Sequence, residues 1–203
     1  MAANVLSPNG LVPSRHKQGV AFNFSKQQLL IKSGYNAAIG IGDLVIIGTA
    51  GNQGYVTIAG NNPASMLGVF AGVLPYFDKT LQATAHGLNG SYQTSANPAA
   101  DIQCLVYTDP MLVYRVQASS TFAQTWVGNN INFLASSNGV PNAAGISTLS
   151  VDGTTSNTTN TLPFRVEGVV GVSGGPQDPA NTNPWIEVTL NQTLVLALQG
   201  TGI

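Results

Sequence analysis

Charge is scarce in this sequence. Seven Lys+Arg and eight Asp+Glu in 203 residues make charged residues 7% of the chain and leave a net charge of −1. An ordinary soluble domain carries about 25%. With no basic stripe, binding nucleic acid by phosphate neutralisation is excluded, and so is anchoring to an anionic membrane surface. One cysteine, Cys104, cannot close an internal disulfide, and nothing points to an oxidising compartment. His16 and His86 are the only histidines and lie far apart, so no Cys/His spacing typical of zinc exists. No run approaches the ~20 apolar residues of a membrane span. The first residues lack a basic segment followed by an apolar one, so secretion is not expected and a cytoplasmic origin is.

The surface must therefore be covered by uncharged polar groups. Such surfaces repel one another weakly, which favours a subunit that spends its exterior on protein contacts. Disorder is excluded because hydrophobic residues reach 43%.

Hydrophobic residues recur with period two, the signature of half-buried antiparallel strands. Leu112, Tyr114, Val116 and Ala118 share one face, opposite Val113, Arg115 and Gln117. Phe164, Val166, Val170 and Val172 are assigned to one face, with Arg165 and Glu167 opposite; Ile186, Val188 and Leu190 alternate with Glu187, Thr189 and Asn191. Ile102, Cys104 and Val106 form a fourth set, which makes Cys104 a core residue. Asp43–Ile47 and Leu67–Leu74 are more uniformly apolar and predict strands covered on both sides or by a neighbouring chain. Turn chemistry separates these runs, as at Asn89-Gly90, Asn138-Gly139 and Asp152-Gly153. The predicted fold is all-β, an antiparallel barrel or two-sheet sandwich over residues 20–192. An extended amino-terminal arm (1–19) precedes it and an apolar tail (193–203) follows. Pro8 and Pro13 argue against a regular central strand in the arm.

No catalytic constellation emerges. The acids are scattered; Asp109 and Asp152 sit in turns, and no Ser lies in a G-x-S-x-G elbow. Asp101 with Asp109, or Glu167 with Glu187, are the only carboxylate pairs to consider, and the glutamates beside Arg165 read as surface ion pairs. An enzyme is not expected, nor a metal or cofactor. The candidate contact residues are the basic cluster Arg15-His16-Lys17, expected as a positive patch on the arm, and the tryptophans Trp126 and Trp185.

The run Ile102–Pro110 followed by Val113–Ala118 resembles a small family of tailed-bacteriophage virion proteins. The pattern continues through Trp126–Phe133, Ser147–Asp152, Phe164–Val170 and Trp185–Asn191. Asn9–Pro13 and Gly42–Val45 match more loosely. Some members are similar to cement or decoration proteins. The resemblance implies a structural protein on the outer surface of a capsid, made in a bacterial host, with the major capsid protein and copies of itself as partners. A trimer is the implied order, a dimer the alternative. Two other functions stand beside this one. One is a carbohydrate-binding module of a head or tail fibre, with Trp126, Trp185 or Tyr107 stacking on sugar rings; the other is a different virion subunit such as a tail-tube or jelly-roll shell protein.

Overall fold

Period-two runs became strands in the computed structural model, which describes residues 5–21, 25–49, 51–87, 89–170, 182–191 and 194–195. Among these, twelve strands form: β1 (Val12–His16), β2 (Gln27–Ile31), β3 (Leu44–Ile47), β4 (Val56–Ile58), β5 (Gly68–Val73), β6 (Tyr76–Asp78), β7 (Ala83–Ala85), β8 (Ile102–Tyr107), β9 (Leu112–Gln117), β10 (Asn130–Ile131), β11 (Phe164–Val169) and β12 (Trp185–Leu190). The described residues contain no α-helix; their one helical turn is the 3-10 turn Gln124–Trp126. Strands order as β1-β9-β12-β11-β10 in one sheet and β2-β8-β5-β3-β4 in the other, with β6 and β7 a separate hairpin. Every strand pair is antiparallel. Of the two expected architectures this is the sandwich; no barrel closes.

Each alternation has a burial target. Leu112, Tyr114 and Val116 of β9, Phe164 and Val166 of β11, and Ile186, Val188 and Leu190 of β12 pack against Leu44 and Val69 of the other sheet. That second sheet buries its far face too. Val45, Phe70, Ile102, Cys104 and Val106 form a second core, closed over by Ile39 and Tyr92 from loops. Two cores explain the uniformly apolar β3 and β5: their neighbours on both sides come from the same chain.

Three expectations need correction. The first concerns β11, where the register shifts between Val166 and Gly168. The extra residue of this bulge reverses the phase. Val169, not Val170, rejoins the core, and Val170 lines a groove on the outer face. Val172 lies outside the described residues.

The second concerns the arm. Val12–His16 does not stand clear of the sheet; it is the edge strand, paired with β9. Pro13 fits there because an edge strand has one side without ladder bonds, and a register shift between Pro13 and Arg15 absorbs the irregularity. Leu11 is fully buried in the inter-sheet core, and its N–H donates to the Gly42 carbonyl at 2.9 Å. Gln117, buried on β9, clamps the preceding residues. Its Oε1 accepts from the Ser7 N–H at 2.8 Å and its Nε2 donates to the Val5 carbonyl at 2.9 Å.

The third is the free positive patch expected on the arm: Arg15 is paired with Glu187 and Lys17 with Glu167. In the tail, Val195 is buried and bridges Met66, so its described part packs on its own sandwich. Residues 196–203 lie outside the described residues.

Candidate protein-docking face

Register decides what the outer face of the first sheet displays. One cross-strand row runs Val12, Arg115, Glu187, Gly168; the next runs Arg15, Val113, Thr189, Arg165, with its central Val113 and Thr189 buried. Four of the chain's seven Lys and Arg (Arg15, Lys17, Arg115 and Arg165) and both of its glutamates belong to this face or its rim.

They form two groups of two cations around one carboxylate. Glu187 Oε2 accepts from Arg15 at 2.9 Å, and its Oε1 lies 3.6 Å from Arg115 Nε. Glu167 Oε1 accepts from Lys17 Nζ at 2.6 Å and from Thr189 Oγ1 at 2.9 Å, with Arg165 close enough to act on it through space. Partial burial would raise the Glu167 carboxyl, but the Lys17 and Thr189 hydrogen bonds and the two positive charges outweigh it, and its pKa is lowered. Exposed pairs of this kind contribute about 0–1 kcal/mol each, so they orient side chains more than they hold the fold. The expected free positive patch is thus a pair of internally tied groups. Each glutamate balances one cation, and each group keeps one positive charge in excess.

Trp185 stands on the same face, on the outward phase of β12 opposite Gln117. With Asn9, Val12, Arg115 and Val170 it lines a groove of about 360 Å³. Asn9 and Val12 also line a larger apolar groove of about 550 Å³, walled by Leu11, Pro13, Phe70, Tyr107 and Ile146. Val12, which lines both grooves, is exposed, as are Val5 and Leu6 earlier in the chain.

The chain matches no family model, no curated protein and no solved structure.

Of the five candidate contact residues, Arg15, Lys17 and Trp185 are brought to one face. His16 falls on the inward phase, opposite Leu112, with its Nε2 3.4 Å from Asp109 Oδ2 and its side chain largely covered. Trp126 is half-buried against the inter-sheet core, edge-on to Phe122 with ring centroids 5.0 Å apart. Tyr107 also packs on that core, with Lys26 Nζ 5.3 Å from its ring centroid.

The scattered acids serve the backbone. Asp109 and Asp152 accept from the N–H two residues on, at 2.8 and 3.0 Å, and Asp101 accepts from the Ser33 N–H and the Tyr55 hydroxyl. Among the described residues no three His, Cys, Asp or Glu gather where they could hold a metal. Cys104 is fully buried, and desolvation pushes its thiol up to about 12.

Asp43 was hidden from the sequence reading inside an apolar run. It is fully buried, accepting from the Gly40 N–H at 2.6 Å and from the Ser147 hydroxyl, and so ties the β10–β11 connection to the head of β3. Its lone charge between Ile41 and Leu44 was the available signal.

Proposed function

We propose that this chain is a structural virion protein of a tailed bacteriophage that decorates the capsid shell and braces adjacent capsid subunits. The major capsid protein and further copies of the chain would be its partners, with a trimer as the working order. The observation that carries this reading is the outer face of the β1-β9-β12-β11 sheet. Arginines and an outward tryptophan sit there beside apolar grooves, a composition typical of the energetic centres of protein interfaces. The resemblance of residues 100–191 to phage virion proteins supplies the setting. Scarce charge elsewhere lets subunits pack closely, and contacts repeated by symmetry make modest individual affinities strong in sum.

Cosedimentation of the purified chain with undecorated capsids tests the reading. The intact protein should bind, and Trp185→Ala should weaken binding about tenfold or more while the fold stays intact. A chain that never binds capsids would overturn the reading. Light scattering tests the trimer; a stable monomer at micromolar concentration would count against it.

The groove holding Trp185, Asn9 and Arg115 also favours a second reading, a glycan platform, because an aromatic ring flanked by polar side chains suits a sugar. Binding on a glycan array, abolished by Trp185→Ala, would select that reading instead.

A further inference from the structure

Near the β10 edge of the same sheet lies a cavity of about 280 Å³ that the docking reading does not use. Lys17, Arg165, Thr189, Asn130, Asn160 and Asn191 line it. Register builds it: Arg165 on β11 faces Thr189 on β12 and Asn130 on β10. Asn191 is held in place by its own amide, which donates to the Asn160 and Leu162 carbonyls at 3.0 and 2.8 Å. Asn130 is held likewise by a 2.7 Å bond to the Thr159 carbonyl.

The two cations are not equivalent. Lys17 is bound to Glu167 at 2.6 Å, so its charge is largely answered. The Arg165 side chain is exposed and, among the described residues, makes no hydrogen bond or close ion pair; it acts on Glu167 only through space. Lys17 and Arg165 against the single carboxylate of Glu167, bonded only to the lysine, leave one net positive charge at the cavity. The described charges elsewhere have the opposite balance, with Lys26, Lys32 and Lys79 against Asp43, Asp78, Asp101, Asp109 and Asp152.

We infer that this cavity is a carboxylate-binding subsite, built to receive an aspartate or glutamate side chain of an acidic partner protein. The inference rests on the docking reading and adds the chemistry of the partner. Arg165 offers its planar fork to both carboxylate oxygens, the arrangement that gives arginine its preference for planar oxyanions. Lys17 is shared between Glu167 and the incoming group. The charge selects the ligand: one net positive charge neutralises a carboxylate, whereas a phosphate dianion would leave one negative charge unanswered. Such a contact sets register and approach more than raw affinity.

The test is an NMR titration following the side-chain Nε–H of Arg165 with a short oligoglutamate peptide and, separately, with inorganic phosphate. The wild type should show saturable shifts with the peptide. Arg165→Gln should weaken peptide binding roughly tenfold or more. Glu167→Gln, which removes the internal competitor for Lys17, should tighten it roughly threefold. No saturable shift, unchanged affinity in Arg165→Gln, or phosphate binding as tight as the peptide would overturn the inference. Capsid cosedimentation separates the two readings. If wild type and Arg165→Gln bind capsids equally, the subsite fails and the docking reading stands. If peptide binds but capsids do not, the docking reading fails and the carboxylate site stands.

Discussion

Asp43 shows how one buried acid governs pH response. Desolvation raises its pKa from 3.8 to about 6, against the opposing bonds from Ser147, Gly40 and Gly139. The folded protein therefore holds a proton that the unfolded chain has already released. This contribution to stability is fully present below about pH 4 and is lost as pH rises through about 6. A shift of that size corresponds to about 3 kcal/mol. Asp43→Asn removes the titration, so the stability difference between variant and wild type should change by about that amount between pH 4 and 7, read by urea unfolding. A pH-independent difference would contradict the assignment. Tyr114 is the opposite case. Its hydroxyl is buried without a hydrogen-bond partner among the described residues, and desolvation raises its pKa. Tyr114→Phe should leave the packing intact and raise stability by about 1 kcal/mol, seen as a higher midpoint of unfolding. The phase of Tyr114 within β9 could be read from alternation alone. That its hydroxyl finds no partner could not, because partners come from other strands.

Among the elements, β1 is the most instructive. Two prolines and weak periodicity marked this stretch as an arm, yet Pro8 precedes the strand, and an edge strand, which needs hydrogen bonds on one side only, tolerates Pro13. What decides the matter is Leu11, whose side chain enters the inter-sheet core. Leu11→Ala should cost about 3 kcal/mol in urea unfolding. Deleting residues 1–17 should cost more, because β9 also loses one of its two ladder partners and Gln117 its bonds to Ser7 and Val5. A truncated chain as stable as the intact one would return these residues to the status of an arm. Gly10 makes the same point by geometry. Its φ is +67°, and an added Cβ would lie 2.6 Å from Ser147 Cβ, so Gly10→Ala should destabilise as well. The alternations of β8, β9 and β12 were legible because each strand keeps strict phase. In β11 phase is kept only as far as Val166; a bulge leaves no mark in a hydrophobicity pattern except a skipped position, and Gly168 was that mark.

At the scale of the whole molecule, charge is segregated. The outer face of the first sheet carries two positive charges in excess, while the other described charges sum to −2. Sequence order concealed this: Arg15, Arg115 and Arg165 are distant in the chain and come to share one face only through β-pairing. Association through this face should weaken as salt rises, measured as capsid binding between low and physiological ionic strength; binding indifferent to salt would mean that apolar contact alone drives it.

The strand order also sets a timetable for synthesis. All five strands of the second sheet come from residues 27–107, so that sheet can assemble while the rest of the chain is still being made. The first sheet joins residues 12–16 to strands between 112 and 190. Its earliest strand must therefore wait until Leu112–Gln117 is made before it can pair with β9, and β9 until Trp185–Leu190 is made before it can pair with β12. Pairings this distant in sequence fold slowly. During that wait β1 and the apolar face of the second sheet are uncovered, an interval in which a nascent chain can meet copies of itself.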